Sequence, residues 1–159
     1  MKKDFRYNLA MIILLSLLLL VTCNTAKAYD KDSEAHCLAK NIYFEAGNQP
    51  LAGRIAVAQV TINRRNHGMF PNTICEVVYQ GGETKHKCQF SWYCDGKSDV
   101  PTDSETWMES IILAFRLLNF DDMDITEGSL WYHANYIDKP YWSSELTPTV
   151  VINNHIFYK

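Results

Sequence analysis

Ser33-Glu34-Ala35-His36-Cys37-Leu38-Ala39-Lys40-Asn41-Ile42-Tyr43-Phe44-Glu45-Ala46 is the stretch from which the fold can be read outward. At 100° per residue, Ala35, Leu38, Ala39, Ile42 and Ala46 fall on one stripe, which marks an amphipathic helix with Ser33 as its N-cap. Glu45 lies at the edge of that stripe, close to Leu38 and Ile42. A carboxylate held against apolar and aromatic neighbours loses hydration, so its pKa rises. A carboxylic acid still protonated near neutral pH can act as a general acid. The competing reading is a helix-end Glu whose stem packs while its head reaches water.

Gly47-Asn48-Gln49-Pro50 ends this helix and starts another, Leu51 to Arg65. Leu51, Ile55, Ala58 and Ile62 share one face, and Ala52, Gly53 and Ala56 would let another element approach closely, so the second helix reads as structural. Residues 66 to 101 form a long connection rich in Gly, Cys and polar residues, of a length that is usually functional or held by disulfides. The capping box Thr102-Asp103-Ser104-Glu105 opens a third helix reaching about Asn119, with Trp107, Ile111, Ala114 and Leu118 on its buried face. After the acidic turn Asp121 to Asp124, the segments Ser129–Ala134, Thr149–Ile152 and His155–Tyr158 read as strands. Asp138 to Trp142 is a loop between them. Helices first and short strands later predict an α+β domain, helical in its N-terminal part with a small antiparallel sheet near the C-terminus.

The first residues read as an export signal: Lys2, Lys3 and Arg6 make a basic start, Leu9 to Val21 an apolar run, and Ala26-Lys27-Ala28 a cleavage site. The apolar run is shorter than the roughly 20 residues that span a bilayer, so no stable membrane anchor is expected after cleavage. Cys23 resembles a lipoprotein site, but Thr22 is a poor residue before the cut. Residues 29–159 then form a single domain. Of the 15 basic and 18 acidic residues, four basic and one acidic lie in 1–28, which leaves a net charge of −6. An acidic domain without a Lys/Arg cluster is a poor match for nucleic acid or anionic membranes, and suits a neutral polymer such as a glycan. Cys37, Cys75, Cys88 and Cys94 remain, an even number in an exported chain, and suggest two disulfides. Three pairings exist. Cys88–Cys94 with Cys37–Cys75 is favoured, and a zinc site is the alternative.

Twenty residues are Phe, Trp or Tyr, many of them beside polar partners. Tyr43, Trp92, Tyr93, Tyr132, Tyr141 and Trp142 are candidates for stacking on sugar faces, although singly such residues more often fill a core. Ile42-Tyr43-Phe44-Glu45-Ala46 is followed by Ala56 to Arg64 (AVAQVTINR), by Phe70 to Gln80 (FPNTICEVVYQ) and by Cys88-Gln89-Phe90-Ser91-Trp92. With Trp142 and Ile152 to Tyr158 closing the series, this ordered set resembles the SleB/CwlJ family of cell-wall hydrolases, named for spore-cortex lytic enzymes. The resemblance runs from roughly Leu38 to Tyr158. One departure is Asn153, where the family often has Gly; Asn tolerates a left-handed backbone better than most residues.

The resemblance implies a lysozyme-like, transglycosylase-related fold and cleavage of peptidoglycan between N-acetylmuramic acid and N-acetylglucosamine, with Glu45 as the catalytic acid. Hydrolysis would need a second carboxylate. Glu76 and Glu83 lie in the loop region, and Asp95, Asp99 and Asp121 look like solvated turn residues, so a lytic transglycosylase is the favoured reading. In that chemistry the sugar's own 6-hydroxyl attacks and Glu45 turns from acid to base. Gln89 and Ser91 are candidates for hydrogen bonds to the sugar, Trp92 and Trp142 for lining the groove, with anchoring of the Cys88–Cys94 loop the equal alternative for Trp92, and Tyr132 for orienting Glu45, as tyrosines do in related transglycosylases. No cofactor is expected. His36, His67, His86, His133 and His155 show no metal-binding spacing, yet His133 and His155 could meet on paired strands and serve a zinc amidase. A glycan-binding module without catalysis is the third reading. An exported enzyme of the periplasm or outside the cell, acting on peptidoglycan with or without an activating or inhibitory protein partner, is the expectation.

Overall fold

The computed structural model describes residues 33–84, 87–120 and 123–159; the leader expected at 1–28, His86 and Asp121 lie outside the described residues. Among the described residues four helices come first: α1 (Glu34–Ala46), α2 (Leu51–Asn66), the short α3 (Ile74–Val78) and α4 (Ser104–Asn119). Strands β1 (Trp131–Ala134), β2 (Pro148–Ile152) and β3 (His155–Tyr158) follow and form one antiparallel sheet in the order β1-β3-β2. The helical N-terminal part and the small sheet are therefore arranged as the sequence predicts.

Ser33 caps α1 as expected, its hydroxyl accepting from the His36 amide. At α4 the cap sits one residue later than the capping box placed it. Asp103 accepts from the Thr106 N–H at 2.7 Å, because the Thr102 and Asp103 amides are themselves turned toward the Tyr43 hydroxyl. The buried face of α4 shifts accordingly to Ser110, Leu113, Ala114 and Leu117, with Trp107, Ile111 and Leu118 only partly covered. β1 starts at Trp131 rather than Ser129, whose side chain is spent on the preceding turn by donating to the Thr126 carbonyl.

The expected face of α2 holds at Ile55, Ala58 and Ile62, which belong to or pack against the helical core, and fails at Leu51. Leu51 is 56% exposed, while Gly53, Ala56, Val57, Ala58, Gln59, Val60, Thr61 and Arg64 are all buried. The helix is wrapped on two sides: Ala58 joins Leu38, Ile42, Val77, Phe90 and Leu113 in the helical core, and Ala56 and Val60 meet Phe157 beneath the sheet. Small residues make this double packing sterically feasible. Burying so much apolar surface supplies the main stabilisation, at roughly 25 cal/mol per Å².

Within the helical core one polar bridge is fully satisfied. Asn41 donates to Thr61 Oγ1 at 3.0 Å and accepts from Trp92 Nε1 at 3.1 Å, fastening α1, α2 and the 3₁₀ turn Ser91–Cys94 to one another. Both favoured disulfides are present: Cys37–Cys75 joins α1 to α3, and Cys88–Cys94 closes the loop carrying that turn. At the β2–β3 hairpin, Asn153 takes φ 49°, the left-handed conformation that Asn accommodates where the related family often has Gly.

Candidate active site

Glu45 occupies the last turn of α1, and two cavities share it as a lining residue. On one side lies an open cavity of about 450 Å³ bordered by Tyr43, Phe44, Gly47 to Gln49, Asp103, Thr106, Tyr136 and His155. On the other lies a cavity of about 270 Å³ bordered by Arg64, Cys88 to Ser91, Trp131, Tyr132 and Trp142. The acid therefore stands between two chambers, each lined by polar and aromatic groups.

Burial drives the pKa of Glu45 up, and two partners partly oppose that rise: the Tyr132 hydroxyl, which donates to Oε2 at 3.0 Å, and the positive charge of Arg64. Tyr132 comes from β1, packed edge-on to His155 and tilted against Phe157. Its own pKa is raised well above the ordinary phenol value, first by burial and then by the Glu45 charge, so it stays a neutral donor. Arg64 is buried at the C-terminal end of α2. Its Nε donates to the Leu130 carbonyl at 2.7 Å, and its guanidinium lies over the Phe70 and Phe90 rings at 5.3 and 5.2 Å. Burial lowers its pKa to about 10, which still leaves it cationic at neutral pH. With its oxygen turned toward Arg64, the Gln89 amide accepts from Nη1 at 3.1 Å and Nη2 at 3.3 Å.

The sequence-predicted residues distribute as follows. Gln89, Ser91, Tyr132 and Trp142 line the smaller cavity with Glu45, and Tyr43 lines the larger one. Trp92 does not reach either cavity. It is buried, stacked on Phe44 at 4.7 Å and hydrogen-bonded to Asn41, so it anchors the loop rather than offering a sugar-stacking face. Tyr93 packs against Tyr79, and Tyr141, 87% exposed, lines neither cavity.

The reading of α2 as structural leaves out Arg64, which lines the smaller cavity and whose positive charge acts on Glu45. Its signal was present, since Val57, Val60, Thr61 and Arg64 follow helical spacing and place the arginine on a buried face, where a charge requires a partner. Gln49, Asp103 and His155 join the lining of the larger cavity from three separate segments, which no local sequence pattern signals. His133 and His155 do not form the pair a zinc amidase would use. His133 sits opposite Ile156 and His155 opposite Ala134, which puts the two rings on opposite faces of the sheet. His133 is occupied with the Tyr158 hydroxyl and the Ala134 carbonyl.

Known proteins resemble this chain in sequence and in fold. The family described as Cell Wall Hydrolase is matched by residues 48–158, a span that begins just after Glu45. The spore cortex-lytic enzyme of Bacillus subtilis (strain 168) is 35% identical over 126 residues, covering 79% of this chain and 37% of that protein. The spore cortex-lytic enzyme of Bacillus cereus is 26% identical over 136 residues, covering 86% and 48%. The chain thus spans between about a third and half the length of these relatives. Among solved structures, the catalytic domain of the Bacillus cereus SleB protein superposes with a TM-score of 0.62 at 26% identity, covering 86% of this chain and 96% of that one. The catalytic domain of the germination-specific lytic transglycosylase SleB from Bacillus anthracis gives 0.63 at 25% identity, covering 85% and 100%.

Proposed function

The chain belongs to the cell wall hydrolase family, and from that premise we propose that it is an exported lytic transglycosylase that cuts the glycan strands of peptidoglycan, with Glu45 as general acid and then base. The observation that carries this reading is a carboxyl group whose pKa burial raises, oriented by the Tyr132 hydroxyl and shared by two polar, aromatic-lined chambers. The naming of the Bacillus anthracis structural neighbour as a lytic transglycosylase agrees with it.

Glu45 gives its proton to the oxygen linking N-acetylmuramic acid to N-acetylglucosamine, and the bond from that oxygen to the muramic C1 breaks. The 6-hydroxyl of the same muramic residue then bonds to C1. Its proton passes to the Glu45 carboxylate, which restores the acid and leaves a 1,6-anhydro sugar. While Glu45 is ionised, the Tyr132 hydroxyl and the Arg64 charge stabilise it. Gln89 and Ser91 supply hydrogen bonds to the sugar in the smaller chamber, Trp142 borders it, and Tyr43 borders the larger one.

Hydrolysis by two carboxylates has less support. The other carboxylate lining either chamber is Asp103, committed to capping α4, and Glu76 is turned to the Thr73 hydroxyl at the start of α3. The amidase reading loses its histidine pair. A binding module has no use for a desolvated acid. Export through a leader at 1–28 and a wall-side location accord with the acidic net charge and the two disulfides, and among the described residues no helix is long and apolar enough to cross a membrane.

Glu45→Gln separates these readings. With purified peptidoglycan, the variant is expected to lose all solubilising activity while still sedimenting with the sacculi. Retained activity would exclude Glu45 as the acid. Equal behaviour of both proteins, bound and inactive, would mean a binding module.

A further inference from the structure

A further cavity, of about 360 Å³, lies between α2 and the end of α4 and shares no lining residue with the two chambers at Glu45. That volume is in the range of small-molecule sites. Leu117, Leu118 and Phe120 give it an apolar wall, while Asn63, Arg65 and Asp124 bring polar groups to it. Two opposite charges thus border one cavity, yet they do not meet. Among the described residues the ion pairs are Arg54–Glu109 and Lys97–Asp95.

The anion is fixed in place. Burial alone would raise the pKa of Asp124, but its carboxylate accepts from the Thr126 N–H at 2.8 Å, the Thr126 hydroxyl at 2.6 Å, the Gly128 N–H at 2.7 Å and Asn63 Nδ2 at 2.9 Å. These bonds outweigh burial and hold the group below the ordinary carboxylate value, so it is ionised at neutral pH with its four acceptor sites filled. Asn63 belongs to the same network, since its Nδ2 also donates to Thr126 Oγ1 and to the Ser129 carbonyl. Asn63 Oδ1 has no donor among the described residues and is not one of the closed-off polar atoms, which leaves an accessible acceptor beside a negative charge. The cation is half free. Arg65 Nε donates to Asn66 Oδ1, and its two terminal nitrogens have no partner among the described residues. A guanidinium fork open in this way takes a carboxylate through two parallel bonds.

We propose that this cavity binds an α-amino acid zwitterion carried on an aliphatic chain. The ammonium donates to Asn63 Oδ1 under the Asp124 charge, the carboxylate docks on the Arg65 fork, and the aliphatic chain lies on Leu117, Leu118 and Phe120. A simple anion would be repelled by Asp124 and a simple cation by Arg65, so a ligand carrying both charges fits best. Two sources carry this group. One is a free aliphatic amino acid. The other is a peptidoglycan stem peptide whose diamino acid keeps one amino and one carboxyl group free at the far end of its side chain. Position favours the stem, because Arg65 directly follows Arg64 on α2 and Arg64 lines the smaller chamber, so both cavities draw on the same helix end. The choice of the stem rests on the peptidoglycan reading above; the zwitterion site itself does not.

Calorimetric titration of the full chain with oxidised cysteines tests this. The probes are a sugar-free stem tripeptide ending in diaminopimelic acid, the same peptide with its far amino group acetylated, the same with its far carboxyl group amidated, and free leucine. The unmodified peptide is expected to bind about tenfold or more tightly than either blocked one, the effect of one charged hydrogen bond. Arg65→Gln should abolish the penalty for amidation. Phe120→Ala, at a position 64% exposed, should weaken the unmodified peptide about threefold through lost apolar contact. The blocked peptides decide on the unaltered chain even if a variant fails to fold. Leucine bound as tightly as the peptide would make a free amino acid the ligand, and binding of the peptide alone would make it the stem. No binding of either, equal binding of blocked and unblocked peptides, or an amidation penalty that survives Arg65→Gln would overturn the proposal. The transglycosylase reading is scored separately, from the products released from peptidoglycan. Anhydro products without any binding here would sink this inference alone, and leucine binding without anhydro products would leave it standing.

Discussion

Tyr132→Phe removes one hydroxyl and tests how Glu45 is tuned. In the wild type this hydroxyl donates to Glu45 Oε2 at 3.0 Å, a bond that favours the ionised carboxylate and opposes the rise caused by burial. A hydrogen bond to a charged group is worth about 1.5–3 kcal/mol. At about 1.4 kcal/mol per unit, its loss should carry the titration of Glu45 upward by about one to two pH units. A general acid works only while protonated, so activity falls as pH rises through its pKa. The alkaline limb of the kcat/KM profile on purified peptidoglycan should therefore move to higher pH by that amount, while the maximal rate drops because the carboxyl group loses its orientation. Stability should follow the same linkage. The variant should be less stable than the wild type at pH values where Glu45 is ionised, and the difference should shrink below about pH 4, where the carboxyl is protonated in both folded and unfolded chains. An alkaline limb that stays in place, or moves to lower pH, would falsify the assignment of Glu45 as the titrating acid held by Tyr132.

Further outcomes follow from the same geometry. Because the folded-state pKa of Glu45 is raised, the ionised acid destabilises the fold, and stability falls as pH climbs from the ordinary carboxylate value through the raised one; Glu45→Gln should thus melt higher than wild type above that window and no higher below it, as read by calorimetry across pH. Arg64→Gln removes a buried cation and its bond to the Leu130 carbonyl, and should lower stability by about 2–4 kcal/mol in denaturant titration while shifting the alkaline limb upward. Asn41→Leu leaves Trp92 Nε1 and Thr61 without their partner and should cost about 2–4 kcal/mol, with the Trp92 fluorescence altered. Opening Cys37–Cys75, which spans 38 residues, should cost about 4 kcal/mol by chain entropy, against about 2 kcal/mol for the 6-residue Cys88–Cys94 link, whose loss should instead fall on the glycan affinity of Gln89 and Ser91.

The sequence was most informative where a single periodic pattern governs packing. The α1 stripe placed Glu45 at a helix edge facing other residues, and the β-branched and aromatic run His155 to Tyr158 located the central strand of the sheet. It was least informative where one element is packed on two sides. α2 is buried on two sides, so the single face of Leu51, Ile55, Ala58 and Ile62 describes only part of its packing, and the arginine it delivers to the site lies off that face. Trp92 has two sequence readings, groove lining and loop anchoring, and the Asn41 bridge that draws the indole into the core decides for the anchor. Gln49 and His155 are far apart in sequence, and only the meeting of the α1–α2 turn with the β2–β3 hairpin brings them to one cavity.

Mass spectrometry of the soluble products released from purified peptidoglycan by the oxidised chain tests the central reading most directly. Muropeptides ending in 1,6-anhydro-N-acetylmuramic acid, absent with Glu45→Gln, are the expected result. Muropeptides with free reducing ends would contradict it and require a second carboxylate at the cleavage point, and free stem peptides would move the cut off the glycan altogether.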